Sequence, residues 1–161
     1  MPSVASSERA SKAARAMANP ESTKAPSVSS PTQYFDMAWG LYTISQYDLA
    51  IEGFKDYLKR FPDSPDAPKA QFYIGMSLFN QTPPKYLEAA QSYGLVTSNP
   101  AYKGSEYVPQ AYYAQGLCFE KLKQLDLARK SWQIVTRDFK DSPYAVMAEA
   151  GLKRLGGGGP Q

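Results

Sequence analysis

Ala50-Ile51-Glu52-Gly53-Phe54, Ala89-Ala90-Gln91-Ser92-Tyr93 and Ala128-Arg129-Lys130-Ser131-Trp132 follow one pattern at intervals of 39 residues, an alanine and then a large aromatic four residues on. Four residues make about one helical turn, so the small and the large group share one helix face. A face that recurs at a fixed interval predicts stacked helical pairs rather than one mixed core. A second small residue keeps step ahead of each alanine: Ala38, Gly75 and Gly116. It precedes the alanine by 12 positions in the outer copies and by 14 in the middle one. The extra residues coincide with Pro83-Pro84, where proline can open a new helix without breaking one.

Apolar faces extend outward from these pairs. Tyr34, Met37, Ala38 and Leu41 line the first helix, and Tyr47, Ala50, Phe54 and Tyr57 the second. Ile74, Gly75 and Leu78 with Tyr86, Ala89, Tyr93 and Val96 form the middle pair. Tyr112, Gly116 and Phe119 with Leu125, Ala128, Trp132 and Val135 form the third. Phe61-Pro62-Asp63-Ser64-Pro65-Asp66-Ala67 returns 78 residues later as Phe139-Lys140-Asp141-Ser142-Pro143-Tyr144-Ala145. Serine is a preferred N-cap and proline is preset for the first turn, so a helix is expected to start after each. Ser45 with Asp48 resembles a capping box for the second helix. The predicted helices cover 32–44, 47–61, 65–80, 84–98, 105–122, 125–138 and 143–155. The seventh has no partner, as expected of a cap over the last apolar face.

Composition removes several functions. The 161 residues include no histidine and one cysteine, Cys118, flanked by Leu117 and Phe119. The commonest general base and metal ligand are missing, and one thiol makes neither a zinc site nor an internal disulfide. Cys118 reads as a small core residue. No glycine-rich phosphate loop or nucleophile elbow occurs, so no enzymatic activity, no cofactor and no metal are expected. The net charge is +3, and residues 1–31 hold a surplus of two, from Arg9, Lys12, Arg15 and Lys24 over Glu8 and Glu21. The remainder is nearly neutral, too little for nucleic-acid binding. No run approaches the ~20 apolar residues of a membrane span, so direct membrane insertion is not expected. Nor do the first residues form the apolar core of a signal peptide.

Residues 1–31, rich in Ser, Ala and Pro, read as a flexible linker, and 156–161, opened by four glycines, as a disordered tail. Between them the repeats are expected at 32–64, 65–104 and 105–142, with the cap at 143–155. The loop Asn99-Pro-Ala-Tyr-Lys-Gly-Ser105 reads as a plain insertion. Glu120, Lys121, Lys123, Asp126, Arg129 and Lys130 read as a solvated turn and helix face. Asp63, Asp66, Asp138 and Asp141 read as helix-junction carboxylates rather than an acid–base pair.

The positions Ala38/Ala50/Phe54, Gly75/Ala89/Tyr93 and Gly116/Ala128/Trp132 resemble the tetratricopeptide repeat, although these copies exceed its usual length. That resemblance implies an all-α fold, a right-handed α-solenoid of three tetratricopeptide-like helix pairs plus a C-terminal capping helix. More narrowly, the segment from Phe61 to Gly75 is similar to the junctions of bacterial envelope repeat proteins, most of all the C-terminal domains of the YbgF/CpoB family of the Tol–Pal system. The likeness spans about residues 31–155. Assembly lipoproteins of the BamD type share such Pro-x-Ser-Pro junctions.

The resemblance also implies a site. The first helices of tetratricopeptide pairs line a concave groove, which by position would hold Phe35, Trp39, Tyr42, Phe72, Met76, Phe79, Tyr113, Leu117 and Glu120. All but Glu120 are apolar or aromatic, as suits a docked helix or extended peptide. Some of these side chains would instead pack between repeats if the chain closed its own groove. The implied function is a non-catalytic, periplasmic scaffold linking outer-membrane constriction to peptidoglycan synthesis. Its partner would be a segment of a Tol-complex component or a peptidoglycan synthase. The alternatives are an outer-membrane protein assembly component of the BamD type and a structural module that self-associates into a homo-oligomer.

Overall fold

A computed structural model describes residues 30–156 of the chain. The expectations for a linker over 1–31 and for a tail beyond 156 fall almost wholly outside these residues. Seven α-helices follow one another: α1 (Pro31–Thr43), α2 (Tyr47–Arg60), α3 (Ala67–Asn80), α4 (Tyr86–Ser98), α5 (Tyr107–Lys121), α6 (Leu125–Asp138) and α7 (Pro143–Arg154). A 3-10 turn, Pro100–Tyr102, separates α4 from α5, and no strand occurs among the described residues. Each helix packs on the next in chain order, and α3–α5 and α5–α7 also touch. The described chain is therefore an all-α solenoid of three helix pairs closed by a seventh helix.

The repeated small and aromatic positions meet inside each pair. Phe54, Tyr93 and Trp132 are fully buried, as are Ala50, Ala89 and Ala128. The ring and its small partner scale with each other. A Cβ added at Gly75 would come within 2.5–2.9 Å of the Tyr93 ring, and one at Gly116 would overlap the Trp132 indole. In the first pair the ring is only a phenyl, and the small position is the alanine Ala38. Trp132 also covers Gly151 of α7, where a Cβ would sit 2.8 Å from Cε3. The corresponding contact one double repeat earlier is Tyr73 stacked on Phe54, centroids 6.1 Å apart. A larger ring on α6 is thus matched by a smaller residue on α7, as close packing requires.

Polar ties accompany the packing. Trp132 donates its Nε1–H to the Tyr113 carbonyl at 3.0 Å. Gln71 Nε2 donates to Ser92 Oγ at 2.8 Å, and Gln115 Nε2 donates to the Ala90 carbonyl at 3.1 Å. Tyr93 lacks such a tie: its hydroxyl is buried with no hydrogen-bond partner.

Helix ends depart from expectation in instructive ways. Ser142 does cap α7, accepting from the Tyr144 N–H at 3.2 Å, with Pro143 in the first turn. Ser64 does not cap α3, which begins at Ala67 after Asp66. Its hydroxyl instead pairs with the Tyr57 hydroxyl at 2.5 Å. Ser45 opens no capping box, since α2 starts after Gln46 without a side-chain cap. It has φ 62° and closes α1, as Lys123, with φ 60°, closes α5. In both, the next amide reaches back to a helix carbonyl, Gln46 N–H to Leu41 and Gln124 N–H to Phe119. Met37, expected on the packed face of α1, is exposed.

Three substitutions test this packing. Gly116→Ala should lose about 1–3 kcal/mol in urea unfolding, because the indole it would strike is enclosed on every side. Tyr93→Phe should be neutral or stabilising, since it removes an unsatisfied buried hydroxyl. Tyr57→Phe, which breaks a made bond, should cost about 1 kcal/mol in the same measurement.

Candidate functional site

The face built by α1, α3, α5 and α7 carries a ribbon of rings. Trp39 stacks on Tyr42 at 5.4 Å and meets Tyr73 edge-on at 4.8 Å. Tyr42 also meets Tyr73 at 5.0 Å. Phe72 joins Tyr107 of α5 at 5.4 Å, and Tyr113 joins Tyr144 of α7 at 5.7 Å. Lys69 places its ammonium 4.8 Å from the Phe35 ring and 5.6 Å from Trp39, close enough for cation–π attraction.

The nine residues expected to line a groove divide on this face. Trp39, Tyr42, Met76, Phe79, Tyr113 and Leu117 are half-buried. Phe35 and Phe72 are not groove residues: 6% and 2% exposed, they belong to the core. Phe35 contacts Phe54 and Tyr57 of α2, and Phe72 contacts Tyr93 of α4. Each precedes a half-exposed residue, Trp39 or Met76, by four positions, and that offset of about 40° around the helix turns the ring toward the second helix. Glu120 is also taken, held by Arg154 of α7 through contacts of 2.9–3.2 Å. This pair ties the last helix to the third repeat, so the run from Glu120 to Lys130 is only partly a solvated face. Phe79 meets Tyr86 at 5.2 Å.

Lys69, Tyr73, Tyr107 and Tyr144 complete the ribbon and were missed by positional carry-over. The legible signal was the helical spacing of Lys69 and Tyr73, four apart in a helix already expected to face outward.

The phenols on this face are held protonated. Burial pushes the Tyr107 hydroxyl up to about 12, reinforced by the Tyr73 phenol, the Glu106 and Asp66 carboxylates and the Tyr144 phenol. Burial likewise raises Tyr73, Tyr113 and Tyr144 above the usual phenol value. Neutral phenols donate hydrogen bonds, so the ribbon can hold carbonyl or carboxylate oxygens while its rings take apolar side chains. The one cysteine, Cys118, is fully buried, and burial pushes its thiol up to about 12. Among the described residues no group of three or more His, Cys, Asp or Glu is placed to hold a metal ion. No described helix is long and apolar enough to cross a membrane.

The insertion after α4 is more than a spacer. Asn99 caps it by accepting from the Ala101 N–H at 3.0 Å, and Tyr102 is buried in the core of the middle pair. Clefts flank it on both sides, about 370 Å³ against Pro62–Pro68 and about 310 Å³ against Ile134 and Phe139.

Stacked helical pairs that present rings and neutral hydroxyls along one face have the chemistry of a protein-binding repeat scaffold. A family model described as Tetratricopeptide repeat matches residues 34–64 and 110–142, so these two segments carry tetratricopeptide repeats. The matched segments hold the first and third pairs; the middle pair, with its prolines and its 3-10 insertion, lies between them. No curated protein matches the chain.

The Tyr107 environment sets an alkaline limit. The folded chain keeps a phenol proton that the unfolded chain releases near the ordinary value of 10.0. Its stabilising effect is complete below pH 10 and is lost as pH rises toward about 12, where unfolding releases protons. Tyr107→Phe should make that decline shallower in unfolding curves taken across the interval.

Proposed function

We propose that the chain is a non-catalytic scaffold of the bacterial envelope that captures a segment of another protein on its first-helix face. The observation that carries the binding reading is the half-exposed ribbon from Trp39 and Tyr42 through Tyr73 to Tyr113 and Tyr144. Repeats of this kind are generally scaffolds, and this one offers ring faces, a cation at Lys69 and phenol donors. An extended or helical peptide with apolar anchors and free carbonyl oxygens has the matching chemistry.

The envelope assignment rests on the resemblance of the Phe61–Gly75 junction to YbgF/CpoB-type domains. On that reading the protein acts in the periplasm, its partner is a Tol-complex component or a peptidoglycan synthase, and it couples outer-membrane constriction to wall synthesis. Calorimetric titration against the soluble domains of those partners tests both parts. Saturable binding is expected, weakened about tenfold by Trp39→Ala and by Phe79→Ala with helicity intact. Undiminished binding by both variants would remove the face as the site. Absence of binding to every envelope domain would remove the envelope role and leave the scaffold.

A further inference from the structure

The two ends of the solenoid expose what its interior buries. Met37 of α1 is 58% exposed and Ile44, in the turn just past its last residue, 67%, and Gly40 between them is open. The positions that correspond to Met37 and Gly40 in α3 are Ile74 and Ser77, both buried. In α5 they are Gln115, which bonds back to α4, and buried Cys118. The outer side of α1 is therefore the side on which interior first helices receive a preceding helix. On α7, Val146 is 72% and Met147 45% exposed, with Ala150 open beside them. Val146 and Ala150 correspond to Pro68 and Phe72 of α3, both buried. Among the described residues each end lacks a covering helix, and each offers one.

Gly40 is a second, independent sign. A glycine inside a helix costs about 1 kcal/mol relative to alanine. Among the described residues nothing asks for it, because an added Cβ would meet no atom within 4 Å. A small residue in that place allows another helix to approach closely.

Charge and apolar matching select the partner and its direction. The only charged residue of α1 is Asp36, whereas α7 ends in Lys153 and in Arg154, whose guanidinium also holds Glu120. With Gly40 set against Ala150 and the helices antiparallel, Ile44 falls on Val146 and Asp36 falls beside Lys153 and Arg154. The parallel arrangement would put Asp36 on Val146 and Ile44 on Arg154. The antiparallel one also continues the order in which each helix packs on the next.

We propose that copies of this chain join end to end, the outer face of α1 in one copy packing antiparallel on the outer face of α7 in the next. The contact is heterologous and does not close on itself, so it yields chains that lengthen with concentration. This inference is independent of the aromatic face and of the envelope reading.

Sedimentation velocity on the full chain over a wide concentration range tests it. The wild type should grow beyond a dimer, while Ile44→Glu and Val146→Glu should each stay monomeric. Mixed together, those variants should form a one-to-one pair and nothing larger, since each retains the end the other has lost. Gly40→Gln should abolish growth while raising the melting temperature of the monomer, which separates a lost contact from a damaged fold. A wild type that remains monomeric throughout, or variants that associate alone as the wild type does, would overturn the proposal.

Discussion

The contact between a large ring on one helix and a missing side chain on its neighbours holds this solenoid together. Trp132 is enclosed by Gly116 and Gly151 and pinned by a bond to the Tyr113 carbonyl, so α5, α6 and α7 share one side chain. Tyr93 over Gly75 repeats the arrangement with a smaller ring, and Phe54 shares one buried cluster with Ala38. Because each ring reaches only adjacent helices, stability accumulates from local contacts along the stack.

That local dependence shaped what was legible beforehand. The alanine–aromatic pairs and the preceding small residues mark the helix faces that meet, and seven helices emerged near the positions they imply. The finer errors arose where two residues of the same type face different neighbours. Ser64 and Ser142 stand in near-identical peptides, yet Ser142 caps a helix while Ser64 bonds the Tyr57 ring above it. The residue that decides lies outside the junction peptide, seven positions before Ser64. Tyr57 reaches the first junction, and no local motif records that.

The binding face was harder to read for a related reason. Carrying repeat positions across found Trp39, Tyr42 and Met76 but also took in Phe35 and Phe72, which face the second helices. An apolar residue on a first helix can serve the pair, the seam between pairs or the open face, and composition does not distinguish them. Tyr73 touches the preceding repeat at Trp39, Tyr42 and Phe54 together. Only the assembled stack reveals that role. Glu120 shows the same limit for charge, because its partner Arg154 lies on a helix outside the repeating pattern.

The two tryptophans occupy opposite settings. Trp132 is sealed in the core at the carboxyl end, whereas Trp39 is half-open near the amino end under the Lys69 ammonium. Their emission should therefore differ in colour and in access to quenchers, one indole reporting the integrity of the last repeat and the other the state of the surface. The molecule carries its own pair of optical gauges, one at each end of the stack.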